Sequence, residues 1–237
     1  MLEAVALTKD FGSHRALDGL NLTVSPGEIV CLLGANGGGK TTTINLFLGF
    51  LEPTSGDARV DGVDVRADPI GSKRKMLYVP EQIALFGELS GLENLAYFAA
   101  LSGIEDVSAT HLRACLDLAG LAREALDRRA SLYSKGMRQK VGLALAIAKQ
   151  ARALLLDEPT SGLDPEASAE FHALLVRQRD AGAAVLMVTH DLFRAREVAT
   201  RIGLMRGGRL RRMINAAEIT ASELESLYLE EMGRGAE

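Results

Sequence analysis

Gly34-Ala35-Asn36-Gly37-Gly38-Gly39-Lys40-Thr41, followed by Thr42 and Thr43, fits the spacing G-x-x-x-x-G-K-[ST] without a gap. Few octapeptides restrict a fold so tightly. Glycines let the backbone wrap closely and turn successive N–H groups inward, making a nest for phosphate oxygens at the positive end of a following helix. The flanks agree. Glu28-Ile29-Val30-Cys31-Leu32-Leu33 reads as a buried strand. Lys40 to Phe50 reads as a helix, with Ile44, Phe47, Leu48 and Phe50 on its apolar face. The loop thus predicts a nucleoside triphosphate ligand. Lys40 would reach its β- and γ-phosphates, and the Thr41 hydroxyl would ligate Mg²⁺.

The rest of the chain has to supply a sheet for that strand. Leu2 to Leu7 and Leu20-Asn21-Leu22-Thr23-Val24 read as strands, with turns at Phe11-Gly12-Ser13 and Ser25-Pro26-Gly27. Residues 53–66 read as a hairpin, and Met76-Leu77-Tyr78-Val79 is a short strand stopped by Pro80. From about 90 to 130 the pattern turns helical, with Leu112, Leu116, Leu118 and Leu121 at helical spacing. Ala153 to Leu156 and Ala184 to Val188 are apolar runs of strand length around a helix, Pro165 to Asp180. Residues 203–214 form a surface hairpin around Gly207-Gly208, and Ser222-Glu223-Leu224-Glu225 has capping-box form before a last helix. Strands alternating with helices predict an α/β fold with a mainly parallel sheet. An antiparallel β subdomain precedes that sheet, and a helical subdomain interrupts it at about 83–150.

Composition narrows the class. At 237 residues the chain can bury a full core, and a net charge of −4 offers no basic field for nucleic acid. No apolar run approaches the roughly 18 residues that span a bilayer. Met1-Leu2-Glu3-Ala4 lacks a signal pattern, and Cys31 and Cys115 stand alone, so a reduced, cytoplasmic polypeptide is expected. Cys31 reads as an inert core thiol. His14, His111 and His172 have no motif and read as surface residues. The run Arg206, Arg209, Arg211 and Arg212 reads as a solvated hairpin.

Chemistry beyond the loop is carried by Leu154-Leu155-Leu156-Asp157-Glu158, two acids at the end of a buried strand. Asp157 is placed to hold Mg²⁺ through water, and Glu158 to orient or activate water against a γ-phosphate. With these residues the chain resembles, over nearly its whole length, the ATP-binding subunits of ABC transporters. Gly34 to Thr42 is similar to the family's Walker A segment and Ala153 to Glu158 to its Walker B. Gln82 is similar to the Q-loop glutamine, Ser161-Gly162-Leu163-Asp164 to the D-loop, and His190 to the switch histidine. Tyr133-Ser134-Lys135-Gly136-Met137-Arg138-Gln139 stands where the signature L-S-G-G-Q belongs, and a helix from Met137 to Lys149 follows it.

The resemblance implies roles. ATP and Mg²⁺ bind between two nucleotide domains, with Ser134 and Gly136 touching the γ-phosphate held by the opposite subunit. Gln82 contacts Mg²⁺ and links the site to a membrane partner, Asp164 of the D-loop is among the nucleotide-binding residues, and His190 steadies the γ-phosphate. Phe11 lies where an aromatic stacks on adenine, with a core phenylalanine as the alternative. Lys135 and Met137 depart from the signature, and Gly38 stands where alanine or serine is usual. Lys135 either adds charge near the partner's phosphate or is a solvated lysine. The Ser-Lys-Gly-Met-Arg-Gln form resembles exporters whose membrane subunit is a separate polypeptide. The implied partners are an integral membrane permease and a second nucleotide domain, identical or paralogous, on the inner face of the cell membrane, without nucleic acid. Two rivals are a soluble ATPase of the same family acting on nucleic acid or ribosomes, and a nucleotide sensor without turnover. The cargo is not legible.

Overall fold

The apolar run Glu28–Leu33 forms a strand (β3) buried at every position. In the computed structural model, which describes residues 1–233, β3 lies inside a six-stranded sheet. Its companions are β6 (Met76–Val79), β7 (Ala153–Asp157), β8 (Ala184–Thr189), β9 (Arg201–Arg206) and β10 (Arg209–Asn215), in the order β10-β9-β3-β8-β7-β6. Every pair is parallel except β9 with β10. Near-continuous apolar strands are what a parallel sheet covered on both faces requires. A second, antiparallel sheet has the order β2-β1-β4-β5, with β1 (Leu2–Phe11), β2 (His14–Val24), β4 (Ser55–Val60) and β5 (Val63–Asp64).

Alternation along β3 divides the core. Val30 and Leu32 join Leu2, Leu7, Leu17 and Leu20 of the small sheet, around Ile44 and Phe47 of α1 (Lys40–Phe47). Ile29, Cys31 and Leu33 face the other way, towards Phe171 and Leu175 of α6 (Pro165–Asp180), Val198 of α7 (Leu192–Val198) and Leu224 of α8 (Ala221–Gly233). Burial pushes the Cys31 thiol far up, in keeping with an inert core residue.

A third core belongs to helices α3 (Gly91–Leu101), α4 (Ala109–Leu118) and α5 (Lys135–Lys149), built on Leu95, Leu112, Leu116 and Val141. Serines set their starts. Ser90 and Glu93 form a full capping box on α3, and Ser108 and Ser134 accept from backbone N–H groups on α4 and α5. A short helix α2 (Pro69–Lys75) precedes β6, capped by Asp68.

Four expectations change and one is refined. Helix α1 ends at Phe47, because Gly49 turns left-handed (φ +66°), and Phe50 is 63 % exposed. Leu118 faces solvent, while Leu121, beyond the Gly120 turn, is buried. Helix α5 begins at Lys135, two residues earlier than its apolar spacing predicts. The capping box of α8 is Thr220 with Glu223: the Thr220 N–H donates to Glu223 at 2.8 Å, and the Glu223 N–H to Thr220 Oγ1 at 3.3 Å. The basic hairpin keeps Arg209, Arg211 and Arg212 exposed as expected, but it is also held by ion pairs and not by water alone. Arg209 pairs with Asp18, Arg212 with Glu231 at 2.7 Å, and Arg206 donates to the Glu231 carbonyl.

Candidate active site

Parallel register gathers the carboxyl ends of four strands along one edge, where open α/β sheets bind ligands. Leu33 of β3 stands beside Thr189 of β8, Asp157 of β7 beside Val188, and Leu156 of β7 beside Val79 of β6. The glycine loop leaves β3 at this edge and closes on α1. A Cβ at Gly34 would lie 2.2 Å from the Met205 carbonyl oxygen. Gly39, at φ +99°, precedes α1 without any side-chain cap, which leaves the helix's first N–H groups free for an anion. The Gly208 N–H donates to the Gly38 carbonyl at 3.3 Å, and the Gly208 carbonyl accepts from the Asp18 N–H at 2.9 Å. The loop is thereby bracketed between the β9–β10 turn and β2.

The Lys40 ammonium is folded back onto this loop, donating to the carbonyls of Gly34 at 2.6 Å and Ala35 at 3.1 Å. Burial lowers its affinity for the proton, and the charges of Glu158 and Asp157 oppose that shift. Asp157 is perturbed the other way. Burial and the neighbouring Glu158 raise its pKa, and Glu81 adds to the rise, while Lys40 and the Thr41 hydroxyl pull it down. Carboxylates therefore outnumber the ammonium here, an excess that a cation would relieve.

Glu158 is fixed on both oxygens. Oε2 accepts from Thr189 Oγ1 at 2.9 Å and Oε1 lies 2.8 Å from His190 Nδ1. A carboxylate only accepts, so Nδ1 carries the proton of that contact. The Glu158 backbone is left-handed (φ +46°) and is anchored by its N–H on the Val188 carbonyl at 2.9 Å. Such a conformation costs a non-glycine residue roughly 1 kcal/mol or more and clusters at functional sites.

Thus Lys40, Thr41, Asp157, Glu158 and His190 converge. The other candidates stand around them. Gln82 is exposed on the loop after β6. Ser134 caps α5, and Gly136 lies beside Leu163 and Ala167. Asp164 caps α6, accepting from the Ala167 N–H at 2.8 Å. Phe11 is 47 % exposed, which removes the core alternative, and Lys9 Nζ lies 5.1 Å from its ring centroid. Asn36 and Gly37 sit exposed at the loop tip, with Thr42 half-buried behind it.

The profile of the ABC transporter family matches residues 17–161. The chain belongs to the ABC transporter family. It is 36 % identical over 226 residues to the daunorubicin/doxorubicin resistance ATP-binding protein of Streptomyces peucetius, covering 95 % of this chain and 67 % of that protein. It is 35 % identical to the spermidine/putrescine import ATP-binding protein of Spiroplasma citri, covering 96 % of this chain and 65 % of the relative. The chain therefore spans about two thirds of the length of these curated relatives. Among solved structures, an ATP-binding subunit of an ABC transporter superposes with a TM-score of 0.83 at 29 % identity, covering 97 % of this chain and 98 % of that one. A dimeric ATP-binding cassette in a post-hydrolysis state with ADP and Pi gives 0.79 at 26 % identity, covering 91 % and 99 %.

In this ABC chain, sequence pattern alone does not point to Thr189, which holds Glu158, nor to the wall made by Met205 and Gly208. A hydroxyl at the end of an apolar strand is a weak signal for the first. The second has none, because the fold alone brings residue 205 to residue 34. His172 departs from expectation outright: it is 6 % exposed, with Nδ1 3.7 Å from Glu197 and Nε2 unpartnered.

Proposed function

We propose that the chain is the ATP-binding and hydrolysing subunit of a transporter that exports its cargo through a separate integral membrane permease. The observation that carries this reading is the convergence of Lys40, Thr41, Asp157, Glu158 and His190 at the carboxyl edge of the parallel sheet. The loop N–H groups of Gly37 and Gly39, with Lys40, take the phosphates of ATP, and Phe11 takes the adenine; the Gly38 N–H is spent on the Ala35 carbonyl at 3.0 Å and shapes the loop. Thr41, Asp157 and Gln82 form the donor set for Mg²⁺, which supplies charge neutralisation on the phosphate oxygens when bound. The excess of carboxylate around Asp157 fits that ion. Glu158, held by Thr189 and His190, orients the attacking water and accepts its proton, and His190, with an N–H on each ring nitrogen, donates the second to a γ-phosphate oxygen.

The signature residues Ser134 and Gly136 belong to the second site of a dimer, homomeric or with a paralogue, in which Asp164 lies at the seam. Helices α3 to α5 then form a helical subdomain, at about 83–150, through which closure is passed to the permease on the inner face of the membrane. The names of similar proteins support partnership with a membrane chain: an import ATP-binding protein and an ATP-binding subunit of an ABC transporter. The export direction leans on the Ser134–Gln139 signature form and on the resistance protein of Streptomyces peucetius; the import protein of Spiroplasma citri bears the other way. Nucleic acid is disfavoured by the net charge of −4 and by the internally paired basic hairpin.

The test is Glu158→Gln. Turnover should fall about 10²- to 10⁴-fold, the range of a lost general base. With ATP, the variant should elute from size exclusion as a stable dimer. A variant that stays monomeric at saturating ATP would count against the shared site.

A further inference from the structure

At the amino ends of β6 and β7, behind the edge that carries the nucleotide residues, basic and apolar side chains share one surface. Ile70, Lys73 and Arg74 stand at i, i+3 and i+4, one face of α2. They border a shallow groove with Leu101, at the end of α3, and Lys149, the last residue of α5. Lys149 Nζ donates to the Lys73 carbonyl at 2.8 Å, which seats α5 against α2. The Lys73 ammonium lies 5.7 Å from the centroid of the Phe50 ring, so the surface continues past the end of α1.

The charge of this surface runs against that of the chain. Net charge is −4, yet no acid borders the groove. Lys75, the remaining cation of α2, pairs with Asp61 at 3.4 Å. Lys73 and Arg74 are exposed and have no acid partner among the described residues. Attraction to the negative end of a helix accounts for basic residues in its last turn. It does not account for Phe50, Ile70 and Leu101, which are 63 %, 68 % and 69 % exposed around them. Single apolar residues are ordinary on a protein surface, but three interleaved with unpaired cations mark an interaction site. Interfaces between proteins are depleted in Lys. Long cationic stems among apolar tips suit a bilayer surface instead, where the charged heads reach phosphate and the tips enter the boundary with the acyl chains.

We propose that this surface is a peripheral membrane contact for anionic phospholipid. Lys73, Arg74 and Lys149 take the headgroup phosphates, and Phe50, Ile70 and Leu101 enter the boundary beneath them. Each Lys or Arg near an anionic surface is worth about fivefold in binding, so the three together give on the order of 10²-fold. A contact of that size is reversible, and it orients the chain against the bilayer without anchoring it. It adds to the permease partnership proposed above and does not depend on it.

The experiment is co-sedimentation of the full chain, without nucleotide, with vesicles of phosphatidylcholine alone and of phosphatidylcholine mixed with phosphatidylglycerol. Binding is expected to the mixed vesicles only, and it should weaken as salt shortens the screening length. Lys73→Glu with Arg74→Glu should lower that binding about 25-fold or more. Ile70→Ser with Leu101→Ser should lower it about tenfold with the charge intact. Because these side chains lie behind the sheet's amino edge, Tm and monomer ATP binding should match the parent in both variants. Undiminished binding of the glutamate pair overturns the proposal, as does equal binding of the parent to both kinds of vesicle. Should the glutamate pair unfold the chain, the serine pair decides, and its undiminished binding has the same force. Failure of the parent to bind mixed vesicles at low salt also overturns it; retention only by bilayers that hold the permease would then give the surface to a protein partner. ATP binding stays intact under each of these outcomes, so the loss of this contact would leave the ATPase reading standing.

Discussion

Two helices are proposed to present their N-termini to an anion, and they are built to opposite plans. Helix α1 starts behind Gly39 with no side-chain cap, inside a wall made by the chain itself. Its loop must be glycine for reasons internal to the molecule: a Cβ at Gly34 would meet the Met205 carbonyl at 2.2 Å, and one at Gly39 the Ala16 carbonyl at 2.8 Å. Helix α5 starts behind Ser134, whose hydroxyl already accepts from the Met137 N–H at 3.2 Å. A Cβ at Gly136 would come no closer than 3.5 Å to its nearest neighbour, Ala167. Nothing within the described residues demands glycine there. One terminus is a finished pocket. The other is open, which suits the proposed contact with a second nucleotide domain.

Breaking the first plan should give the largest effect. Gly34→Ala overpacks against fixed backbone at about 1–3 kcal/mol, which for a chain of this size lowers Tm by roughly 2–10 °C. It should also abolish measurable ATP binding in calorimetry. Gly136→Ala is the counterpart: Tm and monomer ATP binding should match the parent, while steady-state turnover falls about tenfold or more through loss of one oxyanion-type contact. If Gly136→Ala instead lowered Tm as Gly34→Ala does, the contrast between the two termini would collapse.

The charge balance of the finished pocket gives a middle-sized effect of opposite sign. Asp157 has a raised folded pKa, so the unfolded chain ionises it first, near 3.8, and the folded protein later. Stability contributed by this group is therefore lost as pH rises through that window and stays lost at neutral pH. Asp157→Asn should raise the nucleotide-free Tm at pH 7, with the gain vanishing as the pH falls towards 3.8, while Mg²⁺-dependent turnover disappears. A lower Tm at pH 7 would contradict the strained-carboxylate picture. The smallest effect belongs to Phe11. Removing one stacking ring costs about 1 kcal/mol, so Phe11→Ala should weaken ATP binding about fivefold with little change in Tm.

Much of this site is legible in the chain because the motif residues sit at strand ends, where a local apolar run predicts both the strand and the position of the residues just beyond it. Leu33, Val79, Asp157 and His190 all arrive that way. The features that escape are set by non-local contacts or by a tie between local patterns. Thr220-Ala221-Ser222-Glu223 and Ser222-Glu223-Leu224-Glu225 both have capping-box form. The first wins because it places Ile219 and Leu224, both buried, on either side of the first turn as a hydrophobic staple. His172 looks exposed on a charged helix, yet the fold buries it beside Glu197 of α7. Phe50 reads as core by spacing until Gly49 breaks the helix one residue earlier. Lys135 looks like a free cation until the loop at Glu81 folds against it.

The Gly207–Gly208 turn has a practical consequence for anyone engineering this chain. Both residues have positive φ, +55° and +74°, at the tip of a two-stranded ribbon, the usual place for a spliced tag or a new chain terminus. Yet Gly208 stitches Gly38 to Asp18 through its own N–H and carbonyl. An insertion there would unfasten the nucleotide loop from the strand pair that carries Phe11. The turn after α3 is the safer graft site: Gly103 has open space around it and residues 105–108 are exposed.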